Sequence, residues 1–295
     1  MEPREIVLNE TSLLTANARL HDSFCDACGT SLHISSANGH HDQRTPVSCS
    51  DCEDVFFCDE KCLASASEYY HPAMCGKDIE AIAKDSSAST ASNLLYSLLL
   101  LRSFALAATQ DMHPLDLPEV KFLWGDYTDR QLDGLSSHCK TRRTLPFSFQ
   151  MNVLQPLHML QKMEINIFEN SDRFNTWVFN TLYAKFRGTA SARQGLDGKP
   201  EVGAVHPMWC LANHSCDPNV TWEWSGHINF TVREQRAKWA GKDNVKEPGI
   251  RKGEEVLSHY CDIDLPVQER REWAVGALGG LCACERCRWE AAIDH

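Results

Sequence analysis

Apolar residues recur at helical spacing in three stretches of the chain, 93–108, 151–168 and 172–186, and predict helices there. The longest largely apolar run, Leu94 to Leu101, is stopped by Arg102. It falls well short of the roughly 20 residues a bilayer span requires, so it reads as a buried helix. After Arg187 the texture changes. Gly188, Gly195, Gly198, Pro200, Gly203 and Pro207 separate short segments, and Val220–Trp224 and His227–Val232 read as strands. Residues 4 to 8 are a further short β-prone segment. Asp264-Leu-Pro266 offers a capping acid and an early proline to a short helix over 268–275. Gly29 to Ser48 is polar and turn-rich with no apolar period, which predicts an inserted surface loop. The whole pattern is α+β, with a helical middle and a β-rich last third.

Charge narrows the function classes. The 295 residues carry 29 basic against 40 acidic side chains, a formal charge of −11. Such a surplus argues against electrostatic capture of nucleic acid or an anionic membrane surface, which needs clustered Lys and Arg, and it suits a basic partner. Met1 to Leu20 is broken by Glu2, Arg4, Glu5, Glu10 and Arg19 and lacks the apolar core of a signal peptide. The expectation is therefore a reducing compartment, nucleus and/or cytoplasm, in which many thiols more often hold metal than form disulfides. Asn9, Asn213, Asn219 and Asn229 match the N-glycosylation pattern and are expected to be silent there.

The 14 cysteines then become the centre of interest. Between Cys25 and Cys75 they fall as Cys25-x2-Cys28, Cys49-x2-Cys52, Cys58-x3-Cys62 and His71-x3-Cys75. Each pair brings two ligands to one side of a tetrahedral ion, and two pairs complete one zinc site, so eight ligands predict two zincs. His33, His40 and His41 lie in the long loop and are read as solvated. A third cluster, Cys282-x-Cys284-x2-Cys287, supplies only three ligands. A structural site wants a fourth, and the spacing leaves Cys139, Cys210, Cys216 and Cys261 open.

The first four pairs, with Phe56-Phe57-Cys58 ahead of the third, resemble the MYND-type zinc finger. That resemblance implies interleaving, with Cys25, Cys28, Cys58 and Cys62 on one zinc and Cys49, Cys52, His71 and Cys75 on the other. Asn213-His-Ser-Cys216-Asp-Pro-Asn219, then Gly253-Glu-Glu-Val-Leu-Ser-His-Tyr260 and the terminal cysteines resemble the SET domain of protein-lysine methyltransferases with its post-SET zinc. In that pattern Cys216 is the fourth ligand of Cys282, Cys284 and Cys287, for a total of three zinc ions. The implied fold is a SET-type β fold with a pseudoknot, an inserted MYND finger, a helical middle region and a post-SET zinc cluster. The implied boundaries are 1–24 for a remnant N-terminal SET strand, 25–75 for the finger, 76–186 for the helical insert, 187–264 for the SET core and 265–295 for the post-SET region.

The resemblance also implies a chemistry. The cofactor would be S-adenosylmethionine and the substrate a lysine-containing protein or peptide, histone or non-histone, methylated by in-line displacement. Tyr260 matches the family's closing tyrosine and would orient the amine. Asn213 and His214 would contact the cofactor, with Asn180 as a further matching asparagine. Six of the eight tryptophans, from Trp209 onward, crowd the last third. Most are expected in the core. Against the family pattern, no Gly-x-Gly strand precedes Arg4, and Leu278-Gly-Gly-Leu281 stands where the family carries an aromatic. In the finger, Leu63 and Ser67–Tyr70 replace the usual Gln and Trp. These departures motivate two alternatives, a catalytically inactive adaptor whose finger binds a partner peptide, or a truncated chain.

Overall fold

The structure, a computed structural model, describes residues 1–17, 24–32, 45–77, 91–125, 148–194, 200–239, 247–278 and 281–293. In chain order come strands β1 (Ile6–Thr11), β2 (Leu14–Asn17), β3 (Val47–Cys49) and β4 (Cys52–Phe57), then helices α1 (Glu60–Tyr69), α2 (His71–Met74), α3 (Ala91–Thr109) and α4 (Pro118–Lys121). A wide helical turn at Gln150–Leu154 leads into α5 (Gln155–Lys162), followed by α6 (Thr176–Thr189), β5 (Ala190–Gln194) and β6 (Pro200–Val205). The chain continues through β7 (Asn213–His214), β8 (Val220–Trp224), β9 (His227–Val232) and β10 (Leu257–Ser258) to α7 (Val267–Leu278) and α8 (Glu285–Ile293).

The single helix predicted over 151–168 is the part that differs. It stops at Lys162, because Glu164 takes a left-handed φ of 61° and the Ile165 N–H turns back to the Leu160 carbonyl at 2.9 Å. Lys77 completes the stop by donating to the Met163 carbonyl at 2.8 Å. Ile165 and Ile167 pack on the core from turns, so the apolar rhythm outlasts the helix. The next helix begins at Thr176 rather than 172, where the Asn175 side chain accepts from the N–H groups of Trp177 and Val178.

The described residues gather into two compact units. One contains residues 1–11 and those from Pro207 onward. Its sheet is antiparallel, in the order β1-β9-β8, with Leu8 opposite Phe230 and Val220 opposite Val232. Ile228, Phe230 and Val232 alternate inward along β9, the period-two pattern of a strand with one buried face. A short parallel pair joins β7 to β10, placing Asn213 beside Leu257 and His214 beside Ser258.

The other unit runs from Ser12 to His206. Its sheet is β2-β6-β5, and α3 lies across β2 and β6 while also meeting α2, α5 and α6. Leu95, Leu98 to Leu101 and Phe104 to Ala107 are all buried, so α3 is apolar on nearly every side and forms the axis of this core. Each such leucine contributes about 1.5–3 kcal/mol by leaving water. Among the described residues no helix is long and apolar enough to cross a membrane.

Candidate functional site

The cysteine-rich segment folds so that side chains distant in sequence converge. Cys25, Cys28, Cys58 and Cys62 place their sulfurs within 4.8 Å of one another. Gly29, with φ of 72°, donates its N–H to the Cys25 carbonyl at 2.9 Å and closes the first turn. Asp59 caps α1 by accepting from the Cys62 N–H at 2.8 Å, which holds Cys62, in the first turn, with its sulfur 3.5 Å from that of Cys58, just ahead of the cap.

Cys49, Cys52, His71 and Cys75 form the second set, again within 4.8 Å. The Gly76 N–H points at the Cys52 sulfur at 3.0 Å, a contact that favours a thiolate. Burial, then the neighbouring thiols of Cys52 and Cys49, push Cys75 up to about 12. A divalent cation would reverse that preference and hold the thiols ionised. The His71 Nε2 is buried with no hydrogen-bond partner among the described residues, an orphaned lone pair that suits a metal. These residues therefore fit zinc, and in the interleaved arrangement.

In the first unit, Cys282, Cys284 and Cys287 gather with Cys216, whose sulfur lies 3.4 Å from that of Cys287. Among the other cysteines left open by spacing, Cys210 donates to the Pro207 carbonyl at 3.0 Å. Cys261 lies near Cys216 and His214 but is not grouped with the three terminal cysteines. Cys139, like His33, His40 and His41, lies outside the described residues, as do the glycines between Leu278 and Leu281. Arg270 is buried, pairs with Glu290 and donates to the Leu265 carbonyl. Arg286 also reaches Glu290, at 2.7 Å, and donates to the Cys216 carbonyl at 3.0 Å, so the cluster is clamped by side chains of α7 and α8.

The segments around Cys216 and Tyr260 are stitched together by side chains. Asn219, fully buried, accepts from the Leu257 N–H at 2.7 Å and donates to the Glu255 carbonyl at 2.7 Å. Asn213 donates to the Glu255 carboxylate at 2.6 Å. The Tyr260 hydroxyl donates to the Ala212 carbonyl at 2.7 Å, and burial raises its pKa. Trp209 packs beside Tyr260, with ring centroids 5.9 Å apart, and edge-on to Trp222. Burial lowers the His214 pKa to about 4, keeping the ring neutral. Asn180 belongs to the other unit, where it donates to the Thr176 carbonyl at 2.7 Å and more weakly to Asn152.

Sequence reading gave Asn219 and Glu255 no role of their own. The available signal was that both stand inside the two quoted motifs; of the two only Asn219 is buried, where a polar side chain needs a partner. Asp26, between the first two zinc-type cysteines, was also missed. It accepts from Arg102 and from the Tyr70 hydroxyl, each at 2.8 Å.

No family model matches the chain. It is similar to curated proteins at low identity. Rat "N-lysine methyltransferase SMYD2" is 23% identical over 239 residues, 81% of this chain and 47% of the relative. Yeast "Potential protein lysine methyltransferase SET6" is 26% identical over 146 residues, 48% and 34%. A Xenopus laevis relative, "N-lysine methyltransferase SMYD2-B", is 36% identical over 84 residues, 28% and 16%. The matched part spans about half or less of the length of these relatives. With the mixed α+β fold and the cysteine sets, the similarity is consistent with a SET fold carrying a MYND-type finger.

Proposed function

We propose that this chain, a relative of the SET- and MYND-domain lysine methyltransferases, is an S-adenosylmethionine-dependent protein-lysine N-methyltransferase acting on a histone or non-histone lysine. The observation that carries the reading is the anchored phenol of Tyr260, set against the Ala212 carbonyl where the two motif segments meet. The acidic surplus of the chain favours a basic substrate segment.

The buried Trp209 Nε1, beside the Tyr260 ring, is a donor without a partner among the described residues and fits a bound polar group. When bound, S-adenosylmethionine supplies an activated methyl on a sulfonium. The chain's own residues act on the lysine. A free lysine, with pKa about 10.4, is charged at neutral pH and must lose its proton before its lone pair can attack. A lysine brought beside the packed rings of Trp209, Trp222 and Tyr260 would lose hydration, which disfavours the charged ammonium. The Tyr260 hydroxyl and Ala212 carbonyl offer two polar atoms that orient the neutral amine, and the proton leaves to water. Asn213 and His214 are carried over as cofactor contacts. Three Zn2+ would hold the finger and the C-terminal cluster in place.

The test is transfer of labelled methyl from S-adenosylmethionine to lysine peptides by zinc-replete protein. Native protein should transfer, and Tyr260→Phe should lose about 10²-fold or more while keeping its fold. No saturable binding of S-adenosylmethionine or S-adenosylhomocysteine by calorimetry would overturn the reading in favour of the adaptor.

A further inference from the structure

His214 has both ring nitrogens engaged. Its Nδ1 lies 3.0 Å from the backbone nitrogen of Tyr260, and its Nε2 lies 3.4 Å from the Cys216 sulfur. A backbone N–H can only donate, so Nδ1 must be the accepting, unprotonated nitrogen. The proton of the neutral ring then sits on Nε2, aimed at the sulfur. A nitrogen carrying that proton has no lone pair for a metal. His214 is thereby distinguished from the four-cysteine set, although it lies in a second cluster with Cys216 and Cys261.

We infer that His214 is a positioning residue that links the C-terminal metal site to Tyr260. Cys216, as a zinc-bound thiolate, is a strong acceptor and fixes the ring through Nε2–H; the ring in turn fixes the Tyr260 backbone through Nδ1. The Ala212 carbonyl takes the hydroxyl of the same tyrosine at 2.7 Å, so residues 212–214 hold Tyr260 at both ends. The His214 and Tyr260 rings pack against each other, tilted, with centroids 5.2 Å apart. Loss of metal from the cluster would free the Cys216 sulfur, loosen the imidazole and release one end of Tyr260. The catalytic consequence rests on the methyl-transfer reading, but the coupling itself does not.

Two measurements test it without turnover. In zinc-replete protein labelled with 15N at histidine, His214 is assigned through its contact with the Tyr260 amide and its tautomer read from long-range 15N–1H correlations. The expected state is protonated Nε2 and bare Nδ1; a proton on Nδ1 overturns the inference. In the second, 3-fluorotyrosine replaces the six tyrosines, and Tyr260→Phe identifies the Tyr260 resonance. Cys284→Ser, which weakens only the C-terminal site, should shift that resonance in an otherwise native chain and leave it in place in a His214→Gln background. No shift in the native background, or an equal shift in both, overturns the coupling. Should His214→Gln fail to fold, the tautomer and the native-background shift still decide. A protein that transfers no methyl yet shows both effects would refute the proposed function and leave the coupling intact.

Discussion

Arg102, in the middle of the apolar helix α3, donates to the Asp26 carboxylate at 2.8 Å and to the carbonyl of the same residue at 3.2 Å. The guanidinium also stacks over the Tyr70 ring at 3.7 Å, while the Tyr70 hydroxyl closes the network on Asp26. Asp26 stands between Cys25 and Cys28, so one buried cation ties the core helix to the turn that presents two zinc-type ligands. Arg102→Ala leaves the partly buried Asp26 carboxylate with the Tyr70 hydroxyl but no cation, a change that costs about 1–3 kcal/mol. Chemical denaturation should show that loss, and a chromophoric chelator should remove zinc from the finger faster. An unchanged midpoint and unchanged release would show the network to be incidental.

His71 and Cys284 belong to separate units, and their metals should be lost independently. His71→Ala should lower the zinc content by one ion per chain, and Cys284→Ser by a different one, with the double variant losing both. Metal analysis after gel filtration checks this. Simultaneous loss of all zinc from either single variant would contradict separate sites.

Asn219 makes its two backbone bonds to residues 255 and 257, some 36 to 38 positions away in sequence. Removing the side chain takes a partner from the Leu257 N–H and from the Glu255 carbonyl, each such bond being worth about 0.5–1.5 kcal/mol. Asn219→Ala should therefore destabilise the first unit and weaken S-adenosylmethionine binding, because the segment that ends at Tyr260 loses its bracket. Denaturation and calorimetry on the same sample read both. Full stability in the variant would show that the β7–β10 pairing alone holds the crossing.

The contrast between what was legible and what was not follows from locality. The Cys-x2-Cys and Cys-x3-Cys pairs are readable because ligand spacing within one turn is a local geometric rule. Val220–Trp224 and His227–Val232 formed over the expected bounds because alternation is equally local. The helix over 151–168 was over-extended because Ile165 and Ile167 keep the apolar rhythm while Glu164 breaks the backbone. Spacing could not choose among Cys139, Cys210, Cys216 and Cys261. The structure gathers Cys216 with the terminal three. The links of Arg102 to Asp26, Asn219 to Glu255 and His214 to Tyr260 join distant positions through single side chains, and no periodicity announces such partners.

His206 carries a pH prediction that does not involve metal. It is fully buried between the hydroxyls of Ser12 and Ser191, at 2.8 Å from Nε2 and 3.0 Å from Nδ1. Burial lowers its pKa from 6.5 to about 4, so the folded protein holds the ring neutral while the unfolded chain protonates it more readily. Between those values the unfolded state binds more protons, and stability rises with pH. The contribution is complete above pH 6.5 and lost as pH falls through 4, a span worth about 3 kcal/mol at ~1.36 kcal/mol per pH unit. Acid titration of the zinc sites adds a slope of its own, common to native protein and His206→Gln. Denaturation of both at several pH values should therefore leave a difference that shrinks as pH falls from 6.5 to 4, since the native chain alone loses the buried neutral imidazole. Parallel stability curves across that window would show that His206 titrates alike in folded and unfolded chains.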